Sequence, residues 1–169
     1  MNKKGFIQHR IGAGFTLIEL LIVIAIIAIL ASVVFVALDP LTRFRDARDS
    51  SRWSDVSGLV SAIKIDQVDN GGAYLASIAS TTADVVYMIG TDTSGCNVTC
   101  DATIAASGNC VDLTDLADQG YIGSVPVSPD GTGTWTAGLT GYTLTRASTG
   151  IITVQACESE NSDSISISR

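Results

Sequence analysis

Histidine is almost absent from this chain, and that scarcity removes most catalytic readings at once. The one histidine, His9, lies within the first fourteen residues, so the remainder holds no Ser/His or Cys/His pair for nucleophilic catalysis. No glycine-rich phosphate loop is present, and the paired acids have no sequence reason for a raised pKa. An enzyme is not expected. Positive charge is also scarce: after Lys64 only Arg146 and Arg169 stand against twelve acids. Such an acidic stretch repels phosphate backbones, and no basic stripe with interleaved aromatics offsets it, so no dedicated nucleic-acid site is expected. Internal repeats are absent, and at 169 residues the chain has room for one compact domain plus an extension.

What the chain does have is one long apolar run. Leu20 to Leu38 is apolar at every position except Ser32, and this segment carries most of the mean hydropathy of +0.36. As a helix its residues reach roughly 28 Å, close to the hydrocarbon thickness of a bilayer. Lys3, Lys4 and Arg10 precede it, whereas Asp39 to Asp55 balances four arginines with four aspartates. The positive-inside rule therefore places the N-terminus in the cytoplasm and everything after Leu38 on the exported side. No Ala-x-Ala cleavage site follows the run, as an ordinary signal peptide would require.

The pattern along the chain predicts an α+β protein. Residues 1–14 read as a short leader. Residues 15–69 read as a helix, membrane-spanning over about 17–38 and amphipathic over about 41–69. Asp39-Pro40 should kink or loosen it, because proline removes a backbone donor and crowds the preceding turn. In the second half Trp53, Val56, Leu59, Val60 and Ile63 recur at helical spacing as an apolar stripe, with Arg52 and Ser57 among the polar positions between them. Asn70-Gly71-Gly72 is a stop signal. A globular head occupies 70–157: a loop with one strand or short helix near Val85 to Ile89, and a short helix from Asp112 ended by Gly120. Two strands, Tyr142 to Arg146 and Ile151 to Cys157, then form a hairpin across Ser148-Thr149-Gly150. Residues 158–169, acidic and serine-rich, read as a frayed tail.

The most informative stretch is Gly14-Phe15-Thr16-Leu17-Ile18-Glu19-Leu20. A carboxylate among apolar residues of a membrane helix costs about 2–3 kcal/mol at the bilayer centre and less near the interface, so Glu19 needs a partner. Cleavage after Gly14 would place a positive α-amine on Phe15, and a second copy could bring its amine to Glu19. That pairing would set axial register, since a slipped subunit leaves a charge unpaired. Ala25, Ala28, Ala31 and Ser32 permit close helix approach. The simpler reading is that Thr16-x-x-Glu19 is a capping box at the helix start, and the two roles are compatible.

Through Lys3, Lys4 and Arg10, then Gly14, Phe15 and Glu19, residues 10–38 resemble the type IV pilins and the related pseudopilins. The resemblance implies an α-helical spine, transmembrane then amphipathic, with a small C-terminal antiparallel sheet packed on its distal half. It also implies cleavage after Gly14 by a membrane-embedded prepilin peptidase and N-methylation of Phe15. Pro40 lies a turn later than the helix-breaking proline of many pilins. The implied partners are further copies of the chain, an inner-membrane assembly platform and a cytoplasmic ATPase.

Export favours oxidation of Cys96, Cys100, Cys110 and Cys157, and their spacing is not a zinc pattern. Of three connectivities, Cys96–Cys100 with Cys110–Cys157 is the one expected, since its second bridge ties the loop to the last strand. Some pseudopilins hold calcium near C-terminal loops, which makes Asp112, Asp115, Asp118 and Asp130 candidates by resemblance. No twelve-residue hand pattern supports this, and solvated or capping roles, with no metal or cofactor, are expected. Three functions remain: a type IV pilin that ends in an extracellular fibre, a pseudopilin of a type II secretion or competence apparatus, and a monomeric membrane-anchored binding domain. Gly120-Tyr121-Ile122 to Val125-Pro126 mildly resembles the pseudopilin head.

Overall fold

The computed structural model describes residues 14–98, 100–102, 104, 108 and 110–169. The leader residues Lys3, Lys4, His9 and Arg10 lie outside them. The chain divides at Pro40 into two units.

The first unit is helix α1, Leu17–Leu38, whose 22 residues rise roughly 33 Å. None of its residues is buried within the chain, and the helix is long and apolar enough to cross a membrane. Proline ends it. The ring of Pro40 disfavours the right-handed helical region for the residue before it, and Asp39 instead adopts the left-handed conformation at φ 36°. Helix α2, Pro40–Asp69, begins on the proline itself, whose missing N–H is no loss at a first helical position.

In the second unit α2 buries Val56, Leu59, Val60 and Ile63 against the interior face of a four-stranded sheet. The strands are β1 (Val86–Met88), β2 (Tyr142–Arg146), β3 (Ile152–Ala156) and β4 (Ser166–Ser168), in that spatial order and all antiparallel. Inward Ile152, Val154 and Ala156 alternate with Thr153 and Gln155 along β3, the period-two pattern of a half-covered strand. Two short helices, α3 (Ala76–Ala79) and α4 (Thr114–Asp118), contribute Ile78 and Leu116 to the same core. The fold is α+β, a long N-terminal helical segment followed by a small antiparallel sheet, three of whose four strands come after α4, and the α+β class is the one the sequence predicted. A Schellman motif ends α2: Gly72 N–H donates to Gln67 O at 2.7 Å and Gly71 N–H to Val68 O at 3.2 Å. Both glycines sit at positive φ. The β2–β3 hairpin closes with Ala147 N–H on Ile151 O and Gly150 N–H on Ala147 O.

Three expectations need correction. Trp53 is not a core residue; it is 40% exposed, and the neighbouring Arg52 turns inward instead. The C-terminal segment is not a frayed tail. Its Ser-Ile alternation places Ile165 in the core and pairs Ser166, Ile167 and Ser168 with Gln155, Val154 and Thr153. The bridges are Cys96–Cys110 and Cys100–Cys157, not Cys96–Cys100 and Cys110–Cys157. Backbone bonds explain that exchange: Cys96 N–H donates to Gly108 O and Cys110 N–H to Asp92 O, which folds the loop back on itself, while Asp101 N–H reaches Cys157 O. The loop is still tied to the end of β3, through Cys100 instead of Cys110.

Candidate functional site

The N-terminal site is built from a few consecutive positions and the turn they form. Thr16, in extended conformation, caps α1: its Oγ1 accepts from Glu19 N–H at 3.2 Å. Glu19 Oε2 reaches back to accept from Thr16 N–H at 3.1 Å and from the Thr16 hydroxyl at 3.0 Å. This is the reciprocal capping box, which satisfies two donors that a helix start leaves open and puts an acid at the positive end of the helix dipole. Within one chain, then, Glu19 is a capping residue with the threonine as its partner. Phe15, just upstream, is 87% exposed and comes directly after Gly14. A Cβ on Gly14 would meet no atom within 4 Å, and its backbone is not in the left-handed region. No contact among the described residues calls for glycine at that position.

A second constellation, in the second unit, which is the head taken together with α2, escaped the sequence reading. Arg52 is completely buried, and all five of its N–H groups are used. Nε donates to Ser128 Oγ at 3.1 Å. Nη1 serves Asp49 Oδ1 at 2.9 Å and Glu160 Oε1 at 3.0 Å, and Nη2 serves Glu158 Oε1 at 3.1 Å and Pro129 O at 2.9 Å. Arg48 adds a two-pronged pair with Glu160. The acids have further support. Burial pushes the Asp49 carboxyl up, but the amides of Asn161, Glu160 and Ser162, together with Arg52, outweigh it and hold Asp49 below the usual carboxylate range. Burial likewise works against Glu158 and is outweighed by the Trp135 indole N–H at 2.7 Å, the Thr132 hydroxyl and amide, and the Gly133 amide. Hydrogen bonds from Arg48 lower Glu160 against its own partial burial, with Arg52 adding to the effect. Gly131 leaves room for this cluster: a Cβ there would lie 2.8 Å from Glu158 Oε2 and 3.0 Å from Arg52 Nη2, so a larger residue would displace the ends of both side chains. The signal that could have revealed this cluster was the spacing of Arg52 with Val56, Leu59 and Ile63, which fits the buried stripe as well as Trp53 does.

The remaining candidates are accounted for individually. Cys96, Cys100, Cys110 and Cys157 are all in bridges, beside Met88 and Trp135. Asp112 Oδ1 accepts from Thr114 N–H at 2.9 Å, and Asp130 Oδ1 from Trp135 N–H at 3.2 Å. Asp115 and Asp118 lie in α4. Among the described residues no group of three or more His, Cys, Asp or Glu side chains is placed to hold a metal ion.

Residues 11–35 match the family model of the prokaryotic N-terminal methylation motif, the leader motif of type IV prepilin-like chains. That match spans Gly14, Phe15, Thr16, Glu19 and most of α1, and it supports a type IV pilin-like or pseudopilin precursor, with the prepilin-peptidase processing that the motif implies. The apolar α1 fits membrane anchoring before assembly. No curated protein and no solved structure matches the chain.

Proposed function

We propose that the chain is a structural subunit of a type IV pilus, cleaved between Gly14 and Phe15, methylated on the Phe15 amine, and polymerised through α1 after residence in the inner membrane. It acts mechanically and catalyses nothing. The observation that carries this reading is the combination in α1 of a surface exposed and apolar on every side with one carboxylate, Glu19, held by its own threonine. Lipid covers such a surface in the membrane; outside it, only other copies can. In that packed rod the amine of a neighbouring Phe15 completes the coordination of Glu19. Gly14 belongs to the same reading: glycine there serves no contact of the described residues and suits entry into a protease cleft. A platform and an ATPase of the assembly machinery supply the work of extrusion.

Mass spectrometry of fibres sheared from cells tests the proposal. A pilin is abundant in that fraction and begins at a methylated Phe15. A pseudopilin, which the same motif also fits, carries that N-terminus but is scarce in the sheared fraction unless overproduced. A tethered monomeric domain stays with the membrane fraction and retains residues 1–14, an outcome that refutes the fibre assignment.

A further inference from the structure

The C-terminal end of α2 lacks the cation its electrostatics call for. Asp66 and Asp69 both lie in its last turn or next to it, no basic residue occupies that turn, and the helix dipole adds its negative end at the same place. Asp66 is 1% exposed. Its Oδ1 accepts from Asn70 Nδ2 at 2.8 Å, and its Oδ2 has no hydrogen-bond partner among the described residues. A buried carboxylate oxygen in that condition bears the full penalty of lost hydration. Asp66 is also part of the wall of a pocket of about 290 Å³, with Asn70, Asp115 and Gln119 among its other polar residues and Ala73, Leu75 and Ala76 as its apolar side.

We propose that this pocket binds an aliphatic primary ammonium group of the lysine side-chain type. An ammonium presents three donors on a compact head, and three residues of the wall carry oxygen acceptors: Asp66, whose buried Oδ2 is unpartnered, Asp115 and Gln119. Ala73, Leu75 and Ala76 cover the alkyl stem, a division between apolar body and charged tip that lysine itself uses. A divalent ion fits less well. Calcium takes six to eight oxygens, usually with several carboxylates, and this wall carries only Asp66 and Asp115. The site does not depend on the fibre assignment, because it lies wholly in the head.

The test uses the full chain in neutral detergent micelles, titrated with n-butylammonium chloride and tracked by the amide resonances of Asn70, Gly72 and Ala76. Sodium chloride at equal ionic strength is the control, and calcium chloride is a separate arm. The expected result is saturable movement of those resonances with butylammonium, weakened at least tenfold in Asp66→Asn and measurably in Asp115→Asn. Asp66→Asn keeps the side-chain shape; should it fail to fold cooperatively, Asp115→Asn on its exposed helix carries the comparison. Equal responses to butylammonium and sodium mean that water alone fills the pocket and overturn the proposal. Saturation by calcium without a butylammonium response overturns it in favour of a metal site.

Discussion

Helix α1 and the head meet the same problem, a charge among apolar atoms, and solve it in opposite ways. In the head, Arg52 is fully enclosed and every one of its donors is matched inside the chain by Asp49, Glu158, Glu160, Ser128 and Pro129. In α1, Glu19 has one threonine and an otherwise apolar helix around it. A charge completed internally stabilises a fold. On the function proposed above, the charge left incomplete in α1 reserves its partner for another copy, whereas the Arg52 cluster draws every partner from its own chain.

The sharpest way to break that contrast is Glu19→Ala. The sheared-fibre yield should fall at least tenfold while membrane insertion is unchanged; normal yield and length would remove the assembly role assigned to Glu19. Arg52→Met should act on the other side of the comparison. It leaves three acids without their shared cation and should cost the head about 3–5 kcal/mol, as breaking a buried pair does, while a variant that also carries Glu158→Gln recovers part of the loss. Thermal unfolding of the full chain in detergent measures both. Removing a disulfide should cost about 4 kcal/mol for Cys100–Cys157, which closes the longer loop, and about 3 kcal/mol for Cys96–Cys110, with protease sensitivity rising in the same order.

Acid should expose the head cluster selectively. Asp49, Glu158 and Glu160 hold their protons less tightly when folded than when unfolded. Their stabilisation is therefore fully present above the ordinary carboxylate range near pH ~4 and is lost as pH falls through their lowered folded values. The melting temperature should drop below about pH 4 in the native chain, and more shallowly in Arg52→Met; equal slopes would separate the acids from the arginine. The smallest effect belongs to Trp53→Ala, below about 1 kcal/mol, because Trp53 is 40% exposed and lies outside the buried core.

Local signals in the sequence were good guides wherever the cause is local. Asp39-Pro40, Asn70-Gly71-Gly72, the β2–β3 turn and the Thr16/Glu19 box each act within a few residues, and the structure shows each one. What stayed hidden depends on distant partners. Glu158 and Glu160 read as tail acids because Arg52, 106 and 108 residues earlier, is what gives them a place. Ile165 and Ile167 look isolated among serines until β3 lies beside them. The cysteine spacing said nothing about the fold-back that brings Cys96 to Cys110. At the N-terminus the motif was legible, since it is a run of consecutive residue types over 11–35 that needs no distant partner to be recognised.

If the chain is exported as proposed above, the long reach of Arg52 also imposes an order of events on a head threaded across the membrane from α2 onward. Its guanidinium emerges early, yet Glu158 and Glu160 arrive more than a hundred residues later, as does Cys157 for its bridge to Cys100. Until those last residues have been translocated, the sheet lacks its edge strand and the arginine has no enclosure. On that proposal the Arg52 cluster and the Cys100–Cys157 bridge are the last parts of the head to close, because both wait for residues beyond Ala156.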